Sequence, residues 1–327
     1  MTTATDGADD LKSLFDPDMA AAMARMVEIV EEKGLTPPPP NPDPIYVRER
    51  MEDERAWWNE DLPEMAEVLE TNIPGPGGDL RLRILYPEGD RPMRTIVFYH
   101  GGGWVIGSLE THHRAMRCLA IRSGCAIVAV DYRLAPEARY PGPLEDCLAA
   151  TRYVMRHGGE LGLDTSKVVL AGDSAGANLA MATALRMRDA GEDPAKALIC
   201  FYGAFGVDFD TSSYDRFGDG TFGLGRAMMV WFWDLYLRDK ADYDDPYAVP
   251  MKANLAGLPP THLYAAGLDP LLDDSVSMSA KLRAAGVPGQ FKVYPGVCHA
   301  FINLTRMVKQ AHELIDDASV VIAEHLD

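Results

Sequence analysis

The apolar positions of the chain change period along its length. Over about residues 17–33, Met19, Met23, Met26, Val27 and Val30 recur at helical spacing. Asp16 is the candidate N-cap, Pro17 takes the first helical position and Gly34 is the stop. A stiff polyproline run, Pro37 to Pro40, follows, and then a second helical segment over about 46–59 that carries Trp57 and Trp58. Two helices divided by a proline strut do not begin a compact sheet. They predict an appendage laid over something else.

From about Glu67 the period becomes strand-like. Leu80, Leu82, Ile84 and Tyr86 alternate with Arg81, Arg83 and Leu85 after the turn Gly75-Pro-Gly-Gly78. Short, wholly apolar runs come next, at 95–99, 125–130, 167–171, 197–202 and 261–266. Runs of that kind suit a sheet buried on both faces. Helical patterns near 113–122, 143–155, 174–189 and 273–285 separate them, which predicts a mostly parallel α/β sheet with helices on both faces. One stretch breaks the alternation. Between Tyr202 and Pro260 the chain is too long for a simple crossover, and it carries Phe222, Met228, Met229, Trp231, Phe232, Trp233, Tyr236 and Leu237. We expect an inserted helical piece over about 206–250 that joins the N-terminal helices, residues 1–60, to form a small cap on a catalytic domain of residues 61–327.

Composition narrows the function. The 327 residues hold 31 Lys and Arg against 49 Asp and Glu, a net charge of −18. Such a surface is repelled by phosphate backbones and anionic lipid, so neither a nucleic-acid nor a membrane partner is expected. No apolar run is long enough to span a bilayer. The first ten residues lack the basic and apolar regions of a secretory leader, so a cytoplasmic protein is expected. Cys118, Cys125, Cys147, Cys200 and Cys298 are scattered and form no C-x-x-C pair, which predicts buried small hydrophobes and neither a disulfide framework nor a zinc site. No H-E-x-x-H is present, and His112 and His113 would point about 100° apart on a helix, so no metal and no cofactor is expected.

The candidate chemistry lies in two glycine-rich segments. Gly172-Asp173-Ser174-Ala175-Gly176 matches G-x-S-x-G, follows an apolar strand and opens a helical pattern, the context that puts a nucleophilic serine on a sharp turn. The helix behind Ser174 presents free N–H groups and a positive dipole end. Upstream, His100-Gly101-Gly102-Gly103-Trp104 ends another strand, and its glycines can turn backbone N–H groups toward a ligand oxygen. Gly102, Gly103 and Ala175 are therefore the expected oxyanion donors. A serine needs a base. With partners in the order Ser, acid, His, only His262, His299, His312 and His325 qualify. His262 lies within a strand and precedes any plausible acid, while His312 and His325 fall on the terminal helical pattern, expected to be a solvated face. His299, in a loop beyond the strand at 290–294, is the expected base. Asp269, nearest the end of the preceding strand, is the expected acid, with helix capping as its alternative role. Asp273 and Asp274 lie a turn further on and are expected as first-turn helix charges.

The glycine loop, the serine elbow, Asp269-Pro-Leu and His299-Ala-Phe together resemble the hormone-sensitive lipase branch of the α/β-hydrolases, and Asp131-Tyr-Arg-Leu-Ala-Pro-Glu137 strengthens the likeness. It covers roughly Glu67 to the C-terminus. The resemblance implies an α/β-hydrolase fold, a triad of Ser174, Asp269 and His299, an oxyanion hole at the glycine loop and carboxylesterase activity on small acyl esters. Tyr132 and Arg133 are expected to brace loops, and a homodimer is plausible by the same analogy. Two other readings are open: a ligand-binding protein on a retired hydrolase fold, against which the retained His299 weighs, and an amide or lactam hydrolase with the same triad.

Overall fold

A computed structural model describes residues 13–193 and 195–326. The start of the 1–60 segment, with the first ten residues from which the absence of a leader was read, lies outside the described residues.

Glycine pairing closes the first hairpin. β1 (Glu67–Gly75) and β2 (Gly78–Tyr86) run antiparallel, with Gly75 opposite Gly78. The alternation expected along β2 holds at Leu80 and Leu82 and then fails, because Leu85 is as buried as Ile84. There β2 pairs with the strand at 126–130 and has lost its solvent face.

The remaining strands are β3 (Met93–Tyr99), β4 (Ala126–Val130), β5 (Leu163–Asp173), β6 (Leu198–Phe201), β7 (Thr261–Leu268) and β8 (Phe291–Cys298). They lie parallel in an eight-stranded sheet of order β1-β2-β4-β3-β5-β6-β7-β8. Alternate residues feed two cores. Ile96 and Phe98 pack with Met116 and Leu314 on one face, while Val97 and Tyr99 pack with Leu144 and Leu179 on the other. The layers that supply these partners are α3 (His113–Ser123) and α9 (Lys309–Leu326) on the first face, and α4 (Gly142–His157) and α5 (Ala175–Asp189) on the second. α8 (Leu272–Ala284) joins the second. The five cysteines are buried free thiols.

The chain leaves β3 for β4 on one side and returns to β5 on the other, so the carboxyl ends of β3 and β5 flank a switch in winding direction. Open parallel sheets hold their ligands in such crevices.

Two groups of elements lie outside the sheet layers. α1 (Pro17–Glu32) and α2 (Pro44–Ala56) precede it, and α6 (Ser212–Phe217) and α7 (Arg226–Tyr236) interrupt it between β6 and β7. Asp16 makes no side-chain cap on α1. It serves the tertiary fold instead, its backbone N–H donating to Gly296 O over 2.9 Å and its carboxylate accepting from Gln310. α2 buries only Val47 and is held by polar contacts: Arg50 donates to Thr36 O, Lys33 pairs with Asp53, Ser108 donates to Glu52, and Arg48 reaches the sheet domain. Arg48 donates to Val105 O and Ala135 O, each over 2.7 Å, and forks onto Glu137 at 2.8 and 2.6 Å. α7 is apolar by contrast: Trp233 and Tyr236 pack on Trp104, the latter stacked at 4.3 Å with rings 6° apart. Among the described residues no helix is long and apolar enough to cross a membrane.

Candidate active site

The parallel strands bring their following residues to one edge. Ser174 follows β5, Tyr202 follows β6, Asp269 follows β7 and His299 follows β8, with the glycine loop after β3.

Ser174 has φ 55° and ψ −118°, a backbone that a side-chain-bearing residue adopts only at a cost of order 1–3 kcal/mol. The turn closes because its neighbours are bare: a Cβ on Gly176 would collide with Tyr99 O, and one on Gly172 with the Gly176 backbone. The result lifts Oγ out of the sheet at the N-terminus of α5.

His299 Nε2 lies 2.9 Å from Ser174 Oγ, and His299 Nδ1 lies 2.7 Å from Asp269 Oδ2. Because the buried Asp269 carboxylate can only accept, Nδ1 carries the imidazole proton and Nε2 is left to accept from the serine hydroxyl. Asp269 performs both roles considered for it, since its Oδ1 accepts the Leu271 N–H at 2.9 Å at the entrance to α8. β8 runs through Cys298, further than the sequence suggested, so His299 opens the turn directly after the strand. The Tyr202 ring meets it edge-on at 4.9 Å.

The glycine loop is set from behind. Gly102 and Gly103 have φ of 122° and 57°, both left-handed values that suit glycine. A Cβ at Gly103 would enter the Phe232 ring of α7. Asp173, buried beside the serine, accepts the Gly101 N–H at 2.8 Å and lies 3.4 Å from His112 Nε2. Burial would raise its carboxyl, but the His112 imidazole and the Gly101 N–H hold it below the ordinary value. The His100 imidazole is pulled down to about 4, by burial first and by His112 second. It stacks on Tyr132, whose hydroxyl donates to His100 O over 2.7 Å. Arg133 grips the buried Asp146 carboxylate at 2.8 Å from both Nε and Nη2.

Above these groups lies a cavity of about 370 Å³. Ser174, Asp173, His299, Gly102 and Gly103 form its floor. Met26 of α1, Val47, Met51 and Arg55 of α2, and Met228, Met229 and Phe232 of α7 line the rest.

Two expectations are corrected. Asp273 and Asp274 are not merely first-turn charges. Asp274 is buried and accepts the Phe205 and Gly206 N–H groups, each at 2.8 Å, and Asp273 accepts from Ser213 N at 2.9 Å, so the two tie down the segment leading to α6. His325 and His312 do not sit on a solvated face: His325 Nε2 meets His262 Nε2 at 2.9 Å, and His312 Nε2 donates to Thr305 O over 2.8 Å. Tyr202 and Arg55 were not singled out by the sequence. The position of Tyr202, directly after a parallel strand, could have marked it. Nothing in the local pattern of α2 marks Arg55.

The profile of a family described as "alpha/beta hydrolase fold" matches residues 96–303. The acetyl esterase of Salmonella agona is 36% identical over 292 residues, covering 88% of this chain and 90% of that protein. The structure of a hyperthermophilic esterase from the archaeon Pyrobaculum calidifontis superposes with a TM-score of 0.84 at 35% identity, over 87% of this chain and 95% of that one. A thermophilic carboxylesterase cloned from a metagenomic library gives 0.84 at 34% identity, over 87% and 98%.

Proposed function

From the premise that this chain belongs to the alpha/beta hydrolase fold family, in its hormone-sensitive lipase-like branch, and is a carboxylic ester hydrolase, we propose that Ser174 is its nucleophile, His299 its base and Asp269 the acid that orients the base. The observation that carries this reading is the unbroken hydrogen-bonded chain from Asp269 Oδ2 through the imidazole to Ser174 Oγ, 2.7 and 2.9 Å long.

The geometry supports one sequence of steps. His299 Nε2 takes the hydroxyl proton as Oγ attacks the acyl carbon, and the imidazolium that forms is stabilised by Asp269. Negative charge gathers on the former carbonyl oxygen, facing the N–H groups of Gly102, Gly103 and Ala175. Each donor of this kind is worth about 2.7–4 kcal/mol in the transition state. The imidazolium then protonates the leaving alkoxide, and water repeats the steps on the acyl-enzyme to release acid and free serine. An amide substrate would use the same groups, but no feature of the site favours it, and the intact triad argues against a binding-only role.

We further read α1, α2, α6 and α7 as a cap over residues 61–327. The supporting observation is that α1, α2 and α7 all line the cavity above Ser174. A closed roof makes the pocket finite, and each added CH₂ contributes about 0.8 kcal/mol only while there is room for it. Small acyl groups, such as the acetyl named for the Salmonella relative, fit that expectation. A series of p-nitrophenyl esters tests it, with Ser174→Ala as control: kcat/KM rises over short chains and then falls. A steady rise to long-chain esters overturns the cap. A homodimer completes the proposal by resemblance, and light scattering tests it.

A further inference from the structure

Arg55 is the one ionised group at this cavity that the reaction does not use and that no counter-ion holds, among the described residues lining it. It stands in the last turn of α2, and its Nη1 is sealed from solvent without a hydrogen-bond partner. A guanidinium left in that state is costly, because burial strips water from a charge that a partner would otherwise compensate. Burial indeed pulls its affinity for the proton below the ordinary value, offset only in part by Tyr202, Glu54, Asp173 and Cys298 nearby.

None of those neighbours serves it as a counter-ion. The Glu54 carboxylate is engaged by Arg50 at 2.6 Å. Asp173 spends its oxygens on Gly101 N–H and His112. Tyr202 and Cys298 are neutral, with burial pushing both groups up, the thiol to about 12, so the Tyr202 hydroxyl, buried and itself without a partner, brings no compensating charge. On the same cavity wall Asn303 Oδ1 is likewise buried without a partner. Arg55 thus stands without a charged partner on a wall it shares with Ser174, Glu54 and Asp173 as well as with Met26, Met51 and Met228.

A planar fork of N–H donors is the recognition element for a carboxylate. We propose that Arg55 forms an anion subsite, so that the esters this enzyme prefers carry a free carboxylate on the limb that lies under α2. The inference rests on the esterase reading above and deepens it by naming the substrate class. It also accounts for the cavity volume of about 370 Å³, which exceeds what an acetyl group fills. The bulk charge of −18 repels anions at long range, but that field is screened beyond about 10 Å in ordinary buffers, whereas a buried guanidinium acts at contact.

The test uses two matched pairs of substrates on the intact chain. Monoethyl glutarate against ethyl butyrate puts the carboxylate on the acyl limb, and 4-acetoxybutanoate against butyl acetate puts it on the alcohol limb. For each pair the ratio of kcat/KM, anionic over neutral, is compared between wild type, Arg55→Met and Arg55→Lys. At least one ratio should fall by about fivefold or more in Arg55→Met, and Arg55→Lys should lie between that variant and wild type. A smaller fall in both ratios, or an Arg55→Lys ratio no higher than that of Arg55→Met, overturns the subsite. Should Arg55→Met not fold, calorimetry on Ser174→Ala decides: monoethyl glutarate should bind about fivefold or more tightly than diethyl glutarate, and any smaller preference overturns the proposal. Failure of the esterase reading looks different. Wild type would then turn over neither member of a pair, or Ser174→Ala would turn over both as wild type does.

Discussion

The floor and the roof of this site are built by different physics. The floor is a product of the sheet: Ser174, Asp269 and His299 each follow a parallel strand whose last residues are buried. Their positions follow from strand register, and their orientations from buried hydrogen bonds that leave one arrangement satisfied. The roof is assembled from pieces. α7 is held by packed aromatics, but α2 buries a single side chain and is fastened by polar contacts, Arg48 among them. A floor that tolerates no movement under a roof with few attachments separates the chemistry from the choice of substrate. Changes below should strike kcat, and changes above should strike KM.

The largest expected effect is the loss of the nucleophile. Ser174→Ala should lower kcat by about 10⁴-fold or more while circular dichroism and Tm stay close to wild type. Turnover near that of wild type in a folded variant would remove Ser174 from the mechanism.

Asp269→Asn should cost nearly as much, about 10⁴-fold in kcat by analogy with the corresponding serine-protease change, because an amide can stabilise the wrong imidazole tautomer. Asp273→Asn touches only Ser213 and should stay within about tenfold of wild type. If Asp273→Asn proves the crippling variant, the acid has been assigned to the wrong carboxylate.

The roof is tested by Arg48→Met. It removes the fastening of α2 to Val105 O, Ala135 O and Glu137, and it should raise KM by about tenfold with kcat changed less. An equal loss in kcat with KM unmoved would mean that α2 belongs to the floor.

The smallest effect is one of pH on stability. Burial holds the imidazoles of His100, His113 and His262 down to about 4, helped respectively by His112, Arg117 and His325. Unfolded imidazoles bind protons below about 6.5, so between those values the unfolded chain holds more protons and stability is lost as pH falls. Asp274 acts in the opposite sense, since burial pushes its carboxyl up to about 6 and protonation relieves it. With three imidazoles against one carboxyl, the urea midpoint should drop from pH 6.5 to 4, and His262→Gln should flatten the drop by on the order of 1 kcal/mol. His262 pairs with His325 and takes no part in the cavity, so a lowered kcat in that variant would join two regions that the geometry keeps apart.

Most of the floor was legible because it depends on local signals. Apolar runs marked the parallel strands, and small residues around Ser174 marked a turn that only bare neighbours can close. The base and acid could be chosen by chain order, because in a parallel sheet the residue after a strand necessarily arrives at the same edge. Even so, β8 continued to Cys298 where the sequence pattern ended four residues earlier, since pairing with β7 and not hydropathy sets its length.

What the sequence by itself determined is the alternating sheet, the nucleophile turn and the residues able to do acyl chemistry, all encoded within a few neighbouring positions. Only the tertiary structure decided which helices share a cavity with that chemistry. It alone brought Tyr202 against the base, turned Asp274 into an anchor for the segment before α6, and left Arg55 on the cavity wall without a counter-ion. The reason is physical. A charged residue on an amphipathic helix reads the same whether it faces water or a pocket, and its meaning is set by partners distant in sequence that only folding brings within reach.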